Sequence, residues 1–203
     1  MENLNQLKEF LSTPRKIVLI PHRKPDADAL GSCLGLSLFF QKLGHHTTVI
    51  SPTDYPNFLH WMPQNSEVVI YNAGGSQARA DALIANAELL VCLDFSGLNR
   101  IDKMTPVITD SKCKKLLIDH HIGKEEFADF ELWDITAAAT AELIYDFIGL
   151  MDGMHLLDVD IAACLYAGIM TDTGSFKFSN TSAKVHRTIA GLLDLGLDAS
   201  RIH

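Results

Sequence analysis

Cysteine is scarce in this sequence: four occur among 203 residues, and no two of them form a Cys-x-x-Cys pair. Without such a pair, neither a zinc site nor a dithiol redox motif is indicated. Cys33, Cys92 and Cys164 lie in apolar surroundings, where a cysteine usually behaves as a small buried hydrophobic residue. We therefore expect a protein of the reducing cytoplasm that holds no disulfide.

Long apolar runs are also absent. No stretch of about 18 apolar residues, the length that crosses a bilayer, occurs anywhere in the chain. Residues 1–11 carry Glu2, Lys8 and Glu9 and lack the apolar stretch of a signal peptide. This segment is therefore predicted to be an amphipathic helix, and no membrane partner is expected.

Positive charge is in short supply, because 17 Lys and Arg residues face 25 Asp and Glu residues, a formal net charge of −8. This balance argues against a broad basic surface that follows a long duplex nucleic acid. It is compatible with a small phosphorylated substrate, since a bound metal ion reverses the sign of the local potential. The apolar fraction of 47% is typical of a soluble globular protein.

Short apolar runs alternate with longer helical patterns along the chain. Strands are predicted at residues 16–20, 47–51, 67–71, 89–93 and 115–118. Further helices are predicted at residues 29–43, 76–87, 137–150, 158–170 and 182–195, with a polar loop at 171–180. Continuous apolar strands between helices are typical of a parallel sheet covered on both faces. We predict an α/β domain with a mainly parallel five-stranded sheet, helices on both faces and a helical C-terminal part.

Polar residues follow directly on three of the predicted strands: His22, Asp94 and Asp119. In parallel sheets, ligands bind beyond the carboxyl ends of the strands, near the point where the strand order reverses. These three side chains are therefore expected to share one crevice.

The loop after the first strand, residues 21–32, adds two carboxylates, Asp26 and Asp28, to His22. Gly31 in this segment would let another backbone approach closely. Taken alone, Asp28 could serve only as the N-cap of the following helix. The three residues together are harder to explain that way, because burying two acids beside one histidine requires compensation.

Three further segments carry the same kind of side chain: Asp94 after the fourth strand, Asp119-His120-His121 after the fifth, and Asp172 at the end of a helical pattern. Two divalent cations about 3.5–4 Å apart can clamp the attacking and leaving oxygens of a phosphoryl transfer, with an activated water as nucleophile. Mixed carboxylate and imidazole ligands suit manganese or iron-like ions better than an all-oxygen magnesium cage. The chain carries neither a P-loop nor a Gly-x-Ser-x-Gly elbow that would indicate other chemistry.

In this order, the segments resemble those of the DHH phosphoesterase superfamily, which is named for an Asp-His-His motif, here Asp119-His120-His121. Residues 22–28 resemble the family's His-x-x-x-Asp-x-Asp pattern, and residues 168–176 resemble its fourth motif. The resemblance covers almost the whole chain. It implies a cytoplasmic, metal-dependent hydrolase with two divalent ions, Mn²⁺ first and Mg²⁺ or Co²⁺ as alternatives.

The resemblance also implies residue roles. Its ligand set consists of imidazoles and carboxylates: His22 and Asp26 on the first ion, Asp28, His120 and Asp172 on the second, and Asp94 bridging them. Asp119 would orient an imidazole without binding an ion. His121 would face the substrate phosphate as hydrogen-bond donor or acid, and Arg100 is a further candidate for phosphate contact.

Within the superfamily, Pro-Asp-x-Asp-Ala-x-Gly-Ser and the stretch 138–145 are similar to the branch of nanoRNases and phosphatases of 3′-phosphoadenosine 5′-phosphate. Short oligoribonucleotides, dinucleotides or nucleoside 3′,5′-bisphosphates are then the expected substrates, and a homodimer is a candidate assembly. Inorganic pyrophosphatase or polyphosphatase is an alternative, although family II pyrophosphatases typically place Asn-Glu after the bridging aspartate, where Phe95-Ser96 stand here.

Enzymes of this branch carry a smaller C-terminal substrate-binding domain with a Gly-Gly-Gly-His loop, which this sequence lacks. Residues 1–181 are accordingly predicted to be the catalytic domain, and residues 182–203 a helix that leads toward an absent second domain. A non-catalytic module that binds metal or nucleotide is therefore a second alternative. Trp61 and Trp133 are expected to be packing residues rather than base-stacking platforms.

Overall fold

A computed structural model describes Met1 and residues 3–202, so the parts of the predicted terminal helices that fall on Glu2 and His203 lie outside the described residues. Within that range, six parallel strands form one sheet in the order β3-β2-β1-β4-β5-β6. The strands are β1 (Lys16–Ile20), β2 (His46–Ser51), β3 (Val69–Ile70), β4 (Leu89–Leu93), β5 (Lys114–Asp119) and β6 (Phe130–Trp133). The predicted α/β class and parallel sheet are confirmed.

Helices cover both faces of the sheet. They are α1 (Leu4–Phe10), α2 (Ala27–Lys42), α3 (Gln77–Ala85), α4 (Thr105–Asp110), α5 (Thr140–Leu150), α6 (Val159–Asp172) and α7 (Ala183–Leu193). Side chains alternate between two apolar cores, because successive residues of a strand point to opposite faces. In β1, Ile17 and Leu19 join the core under α2, α5 and α6, whereas Val18 and Ile20 join the core under α3 and α4.

The α2–α6 pair packs closely because glycines stand at the crossing. A Cβ atom built on Gly31 would lie 2.4 Å from the carbonyl oxygen of Cys164. One on Gly168 would lie 2.7 Å from Oδ1 of Asp28. The close backbone approach predicted at Gly31 is therefore present, and it brings the ends of both helices to the same edge of the sheet.

The structure differs from the predicted elements in several places. The helix predicted at residues 182–203 ends at Leu193 in α7 and is followed by a 3₁₀ turn at Ala199–Arg201, and α4 has no predicted counterpart. The sheet has a sixth strand, β6, which lies at its edge and buries only the side chain of Phe130. The predicted strand 67–71 shrinks to the two residues of β3, since a 3₁₀ turn at Asn65–Glu67 draws the N–H of Val68 to the carbonyl of Asn65. Asp172, which was predicted in a polar loop, lies in the last turn of α6.

The strand order reverses between β1 and β4. From β1 the chain moves outward to β2 and β3, and from β4 it moves the other way to β5 and β6, so crossovers leave a crevice at the carboxyl ends of β1 and β4. Among the described helices, none combines the length and the apolar character needed to cross a bilayer.

Candidate metal centre

The loop between β1 and α2 places His22 and Asp26 at this crevice. Oδ1 of Asp26 accepts hydrogen bonds from the backbone N–H groups of Asp28 and Ala29, each at 3.0 Å, so Asp26 is the N-cap of α2. Oδ2 of Asp26 lies 3.7 Å from Nε2 of His22. The reading of Asp28 as the cap of this helix is therefore wrong: the helix begins at Ala27, and the cap precedes it.

Asp28 instead holds a different helix. It is fully buried, and its two oxygens accept hydrogen bonds from the backbone N–H groups of Thr140 (2.7 Å) and Ala141 (2.8 Å). These N–H groups belong to the first turn of α5, where backbone donors lack partners within the helix. The carboxylate thus replaces the cap that Ala139 cannot supply. The sequence predicts that this helix begins at Ala137. The contact with Asp28 explains why α5 begins at Thr140 instead.

Asp94 lies at the centre of the crevice, directly after β4. It is buried, with 2% of its surface exposed, and its backbone has a φ of 65°, a left-handed conformation that few non-glycine residues adopt. Its Oδ2 lies 3.4 Å from Nε2 of His22, and its Oδ1 lies 3.5 Å from Nε2 of His120. The hydroxyl of Thr140 donates to Oδ1 at 2.7 Å. One carboxylate therefore faces two imidazoles from different loops.

The hydroxyl of Thr140 fixes the orientation of Asp94, so its removal should impair the site without removing a charge. We expect Thr140→Val to lower kcat of any hydrolysis at this centre about tenfold or more, because a hydrogen bond to a charged group contributes about 1.5–3 kcal/mol. Thr140→Ser keeps the donor and should stay close to the unchanged protein. Equal kcat values for the valine and serine variants would show that the hydroxyl does not position Asp94.

The residues that follow β5 contribute two imidazoles. Asp119 is the buried last residue of the strand, and its Oδ1 lies 2.8 Å from Nδ1 of His121. Nδ1 of His120 lies 3.3 Å from the carbonyl oxygen of Ala137. Since each Nδ1 faces an acceptor, the proton is held there, and each Nε2 is left to bind a cation or a substrate.

Nε2 of His120 is a buried atom without a hydrogen-bond partner among the residues that the structure describes. It faces three carboxylate oxygens: Asp94 and Asp172 at 3.5 Å each and Asp28 at 3.9 Å. Asp172 reaches this position from the last turn of α6, where Nδ2 of Asn180 donates to its backbone carbonyl at 3.1 Å. An unpaired imidazole nitrogen among carboxylates is the arrangement that a cation completes.

Burial and the surrounding charges shift the pKa values of the imidazoles. Burial by itself lowers the pKa of His22, but the contacts with Asp26 and Asp94 outweigh it and raise the pKa to about 10. Burial opposes the shift of His120 too, yet Asp94 and then Asp172 raise its pKa to about 9. For His121, the hydrogen bond to Asp119 is the main cause of a raised pKa.

The carboxylates separate into two groups. Burial and then the charge of Asp94 raise the pKa of Asp172 to about 7 and that of Asp28 well above its usual value. Asp94 shifts the opposite way: burial opposes its ionisation, but contacts with His120 and His22 hold its pKa well below the usual range. Together with Asp26, four carboxylates lie in one crevice. Their mutual repulsion costs free energy, and bound cations relieve it.

The raised pKa values make cation binding depend on pH. Without an ion, His22 and His120 keep their protons at neutral pH and lose them only as the pH passes about 9–10; a bound ion requires the unprotonated Nε2. We therefore expect the affinity for Mn²⁺ to rise between about pH 6 and about pH 8, up to about tenfold per pH unit for each proton displaced. Calorimetry in two buffers of different ionisation enthalpy measures the released protons. An affinity independent of pH would contradict the protonated ground state.

The side chains form three groups whose ligand atoms lie within 4.8 Å of one another: His22, Asp26 and Asp94; Asp28, His120 and Asp172; and Asp94, His120 and His121. Asp94 belongs to the first and the third group and so joins the two halves of the cluster. The donors are carboxylates and imidazoles, and the second nitrogen of the imidazole is held by a carbonyl oxygen. Such a set of ligands fits two divalent cations. The structure thus brings together the residues that the sequence proposed as ligands.

Arg100 and Thr140 belong to none of the three groups of ligand atoms. Arg100 has an exposed side chain, and its carbonyl oxygen accepts the N–H of Arg23 at 2.7 Å, which ties the loop after β4 to the loop after β1. A phosphate contact by its guanidinium stays a prediction. The sequence predicts no functional role for Thr140. The signal it carries is the Ala-Ala-Thr-Ala-Glu stretch at residues 138–142, which resembles the family but assigns no role to the hydroxyl.

The chain is similar to known proteins over most of its length. The family model described as "DHH family, N-terminal domain" matches residues 16–169. The "Bifunctional oligoribonuclease and PAP phosphatase NrnA" of Thermus thermophilus is 32% identical over 186 residues, which cover 92% of this chain and 52% of the relative. The chain thus spans about half the length of that curated relative.

Two solved structures share the fold. An exopolyphosphatase-related protein from Bacteroides fragilis superposes with a TM-score of 0.94 at 34% identity, covering 98% of this chain and 58% of its own. A putative family II inorganic pyrophosphatase from Methanococcus jannaschii superposes with a TM-score of 0.64 at 18% identity, over 90% of this chain and 57% of its own. At 18% identity, the second likeness concerns the fold alone.

Proposed function

Because this chain belongs to the DHH family, we propose that it is a metal-dependent phosphoesterase that hydrolyses short oligoribonucleotides, dinucleotides or nucleoside 3′,5′-bisphosphates. The observation that carries the proposal is the position of Asp94, a buried carboxylate that faces His22 on one side and His120 on the other. The nucleotide substrates are supported by the 32% identity to the Thermus thermophilus oligoribonuclease and PAP phosphatase.

In this proposal, the cluster holds two divalent ions. His22 and Asp26 would hold the first, Asp28, His120 and Asp172 would hold the second, and Asp94 would be shared by both. Together with His121, these six side chains make up the three groups of nearby ligand atoms. Manganese suits this mixture of carboxylates and imidazoles. When bound, the ions supply Lewis-acid activation of a water molecule and neutralise the charge of the phosphate.

His121 is proposed to act on the substrate. Its side chain is 43% exposed, whereas Asp119 behind it is fully buried. The 2.8 Å contact between Nδ1 of His121 and Oδ1 of Asp119 orients the ring and favours its protonated form. Nε2 is then free to donate a hydrogen bond to a phosphate oxygen or a proton to the leaving group. Asp119 acts through His121 as a positioning residue.

The proposal is tested by manganese-dependent hydrolysis on three substrates side by side: a short oligoribonucleotide, a nucleoside 3′,5′-bisphosphate and pyrophosphate. Release of mononucleotide or phosphate from a nucleotide substrate is expected. Turnover of pyrophosphate alone would replace the proposal with a pyrophosphatase. Manganese binding without turnover of any of the three substrates would indicate a non-catalytic module. This result is expected if the longer family proteins need their remaining half for activity.

A further inference from the structure

A pocket of about 330 Å³ lies between the start of α2, the C-terminal part of α6 and the segment that follows β2. Two of its walls adjoin proposed ligands: Ala27 stands between Asp26 and Asp28, and Thr171 directly precedes Asp172. The volume lies at the lower end of the range for small-molecule sites. The pocket is therefore formed by the same two helix ends that carry Asp26, Asp28 and Asp172.

The remaining walls come from the loop after β2 and from the last described residues. Phe58 and Trp61 line the pocket, and they are 71% and 44% exposed. The same loop is tied to the metal loop, because Thr53 Oγ1 accepts the backbone N–H of Lys24 at 2.6 Å. Trp61 is thus half exposed at a pocket, which differs from the packing role expected from the sequence.

A cation completes the lining. Arg201 contacts both this pocket and a neighbouring one of about 530 Å³, and its side chain is 84% exposed. Two aromatic rings and a guanidinium group are the surface on which unpaired nucleobases stack, because every base presents a π-face to an aromatic ring or to arginine. The guanidinium can bind a phosphate as well as a base, but a bare phosphate chain gains nothing from the two aromatic rings.

We propose that the pocket lined by Phe58, Trp61 and Arg201 is a base-binding subsite, which holds the nucleobase of a nucleotide whose phosphate lies at the metal centre. This inference rests on the proposed function and deepens it, because a base-binding subsite would make the protein bind nucleotides in preference to pyrophosphate. Binding of the base at one end and of the phosphate at the other orients the scissile bond.

Two probes that differ only in the base test the subsite: adenosine 5′-monophosphate and ribose 5-phosphate, each as an inhibitor of the metal-loaded chain. We expect Trp61→Ala to weaken inhibition by adenosine monophosphate about tenfold, which is within the range for loss of one stacking contact. Ribose 5-phosphate should inhibit both proteins equally. For an oligoribonucleotide substrate, the change should appear in KM and leave kcat nearly unaltered, and Trp61→Phe should restore most of the affinity.

Fluorescence gives an independent measurement, because the chain contains two tryptophans. In Trp133→Phe, Trp61 is the only indole, and adenosine monophosphate added after the metal should quench it, whereas ribose 5-phosphate should not. Hydrolysis of nucleotides with the inhibition constant of adenosine monophosphate unchanged in Trp61→Ala would overturn the subsite and leave the proposed function standing. Absence of nucleotide hydrolysis, with neither probe bound, would overturn both.

Discussion

Asp94→Asn is expected to abolish nearly all hydrolysis, lowering kcat about a thousandfold, equivalent to ~4 kcal/mol of transition-state stabilisation. Among the described residues, this carboxylate is the one group that faces both His22 and His120, so its charge is needed by both halves of the cluster. Asparagine is the informative replacement because it tolerates the left-handed φ of 65°. Its side-chain oxygen can still accept the hydrogen bond of Thr140. The change thus removes the charge and keeps the shape.

The matched control is Asp102→Asn. Asp102 also has a positive φ, 52°, but it lies in an exposed part of the 3₁₀ segment Leu98–Met104 and belongs to none of the groups of ligand atoms. It should retain full activity. Steady-state hydrolysis and manganese binding, measured on both variants, separate loss of the centre from loss of fold. An Asp94→Asn protein with more than about a tenth of the activity would rule out a bridging role.

Gly31→Ala should lower the free energy of unfolding by about 2–3 kcal/mol, as expected for overpacking where the backbone must move. The added Cβ would lie 2.4 Å from the carbonyl oxygen of Cys164, and a backbone atom cannot rotate away as a side chain can. α2 and α6 would have to separate. Because α2 carries Asp28 and α6 carries Asp172, the same movement should weaken manganese binding.

Gly149→Ala provides the comparison, since Gly149 is also helical but the nearest atom to its added Cβ lies 3.7 Å away. There alanine should be neutral or stabilising, by up to about 1 kcal/mol from helix propensity. Urea unfolding in the presence of a chelator measures both variants without the contribution of bound metal. If Gly31→Ala proved as stable as Gly149→Ala, the close packing of α2 on α6 would not be a determinant of the fold.

Much of the fold follows from hydrophobic pattern. β1 and β4 are continuous apolar runs, so their class and their burial on both faces could be predicted from sequence alone. β6 could not, because Phe130–Trp133 is a four-residue edge strand with a single buried side chain, and such a pattern is no different from that of a loop. The start of α5 could not be predicted either, because it is set by Asp28, which is 112 residues away in the chain.

The ligand residues were accessible for a different reason: the carboxyl ends of parallel strands meet at one edge, so His22 and Asp94 had to be neighbours. What sequence could not distinguish is the task of each carboxylate. Asp26 and Asp28 both stand at a helix start, yet one caps α2 and the other holds α5. That choice depends on tertiary contacts, as does the contact of the Thr140 hydroxyl with Asp94.

The most direct test of the two-metal centre is the anomalous diffraction of manganese from crystals of this chain. Two peaks are expected, one between His22, Asp26 and Asp94 and the other between Asp28, His120 and Asp172, because these are the groups of ligand atoms that already lie within 4.8 Å of one another. A single peak, or peaks that avoid Asp94, would contradict a pair of ions bridged by this carboxylate.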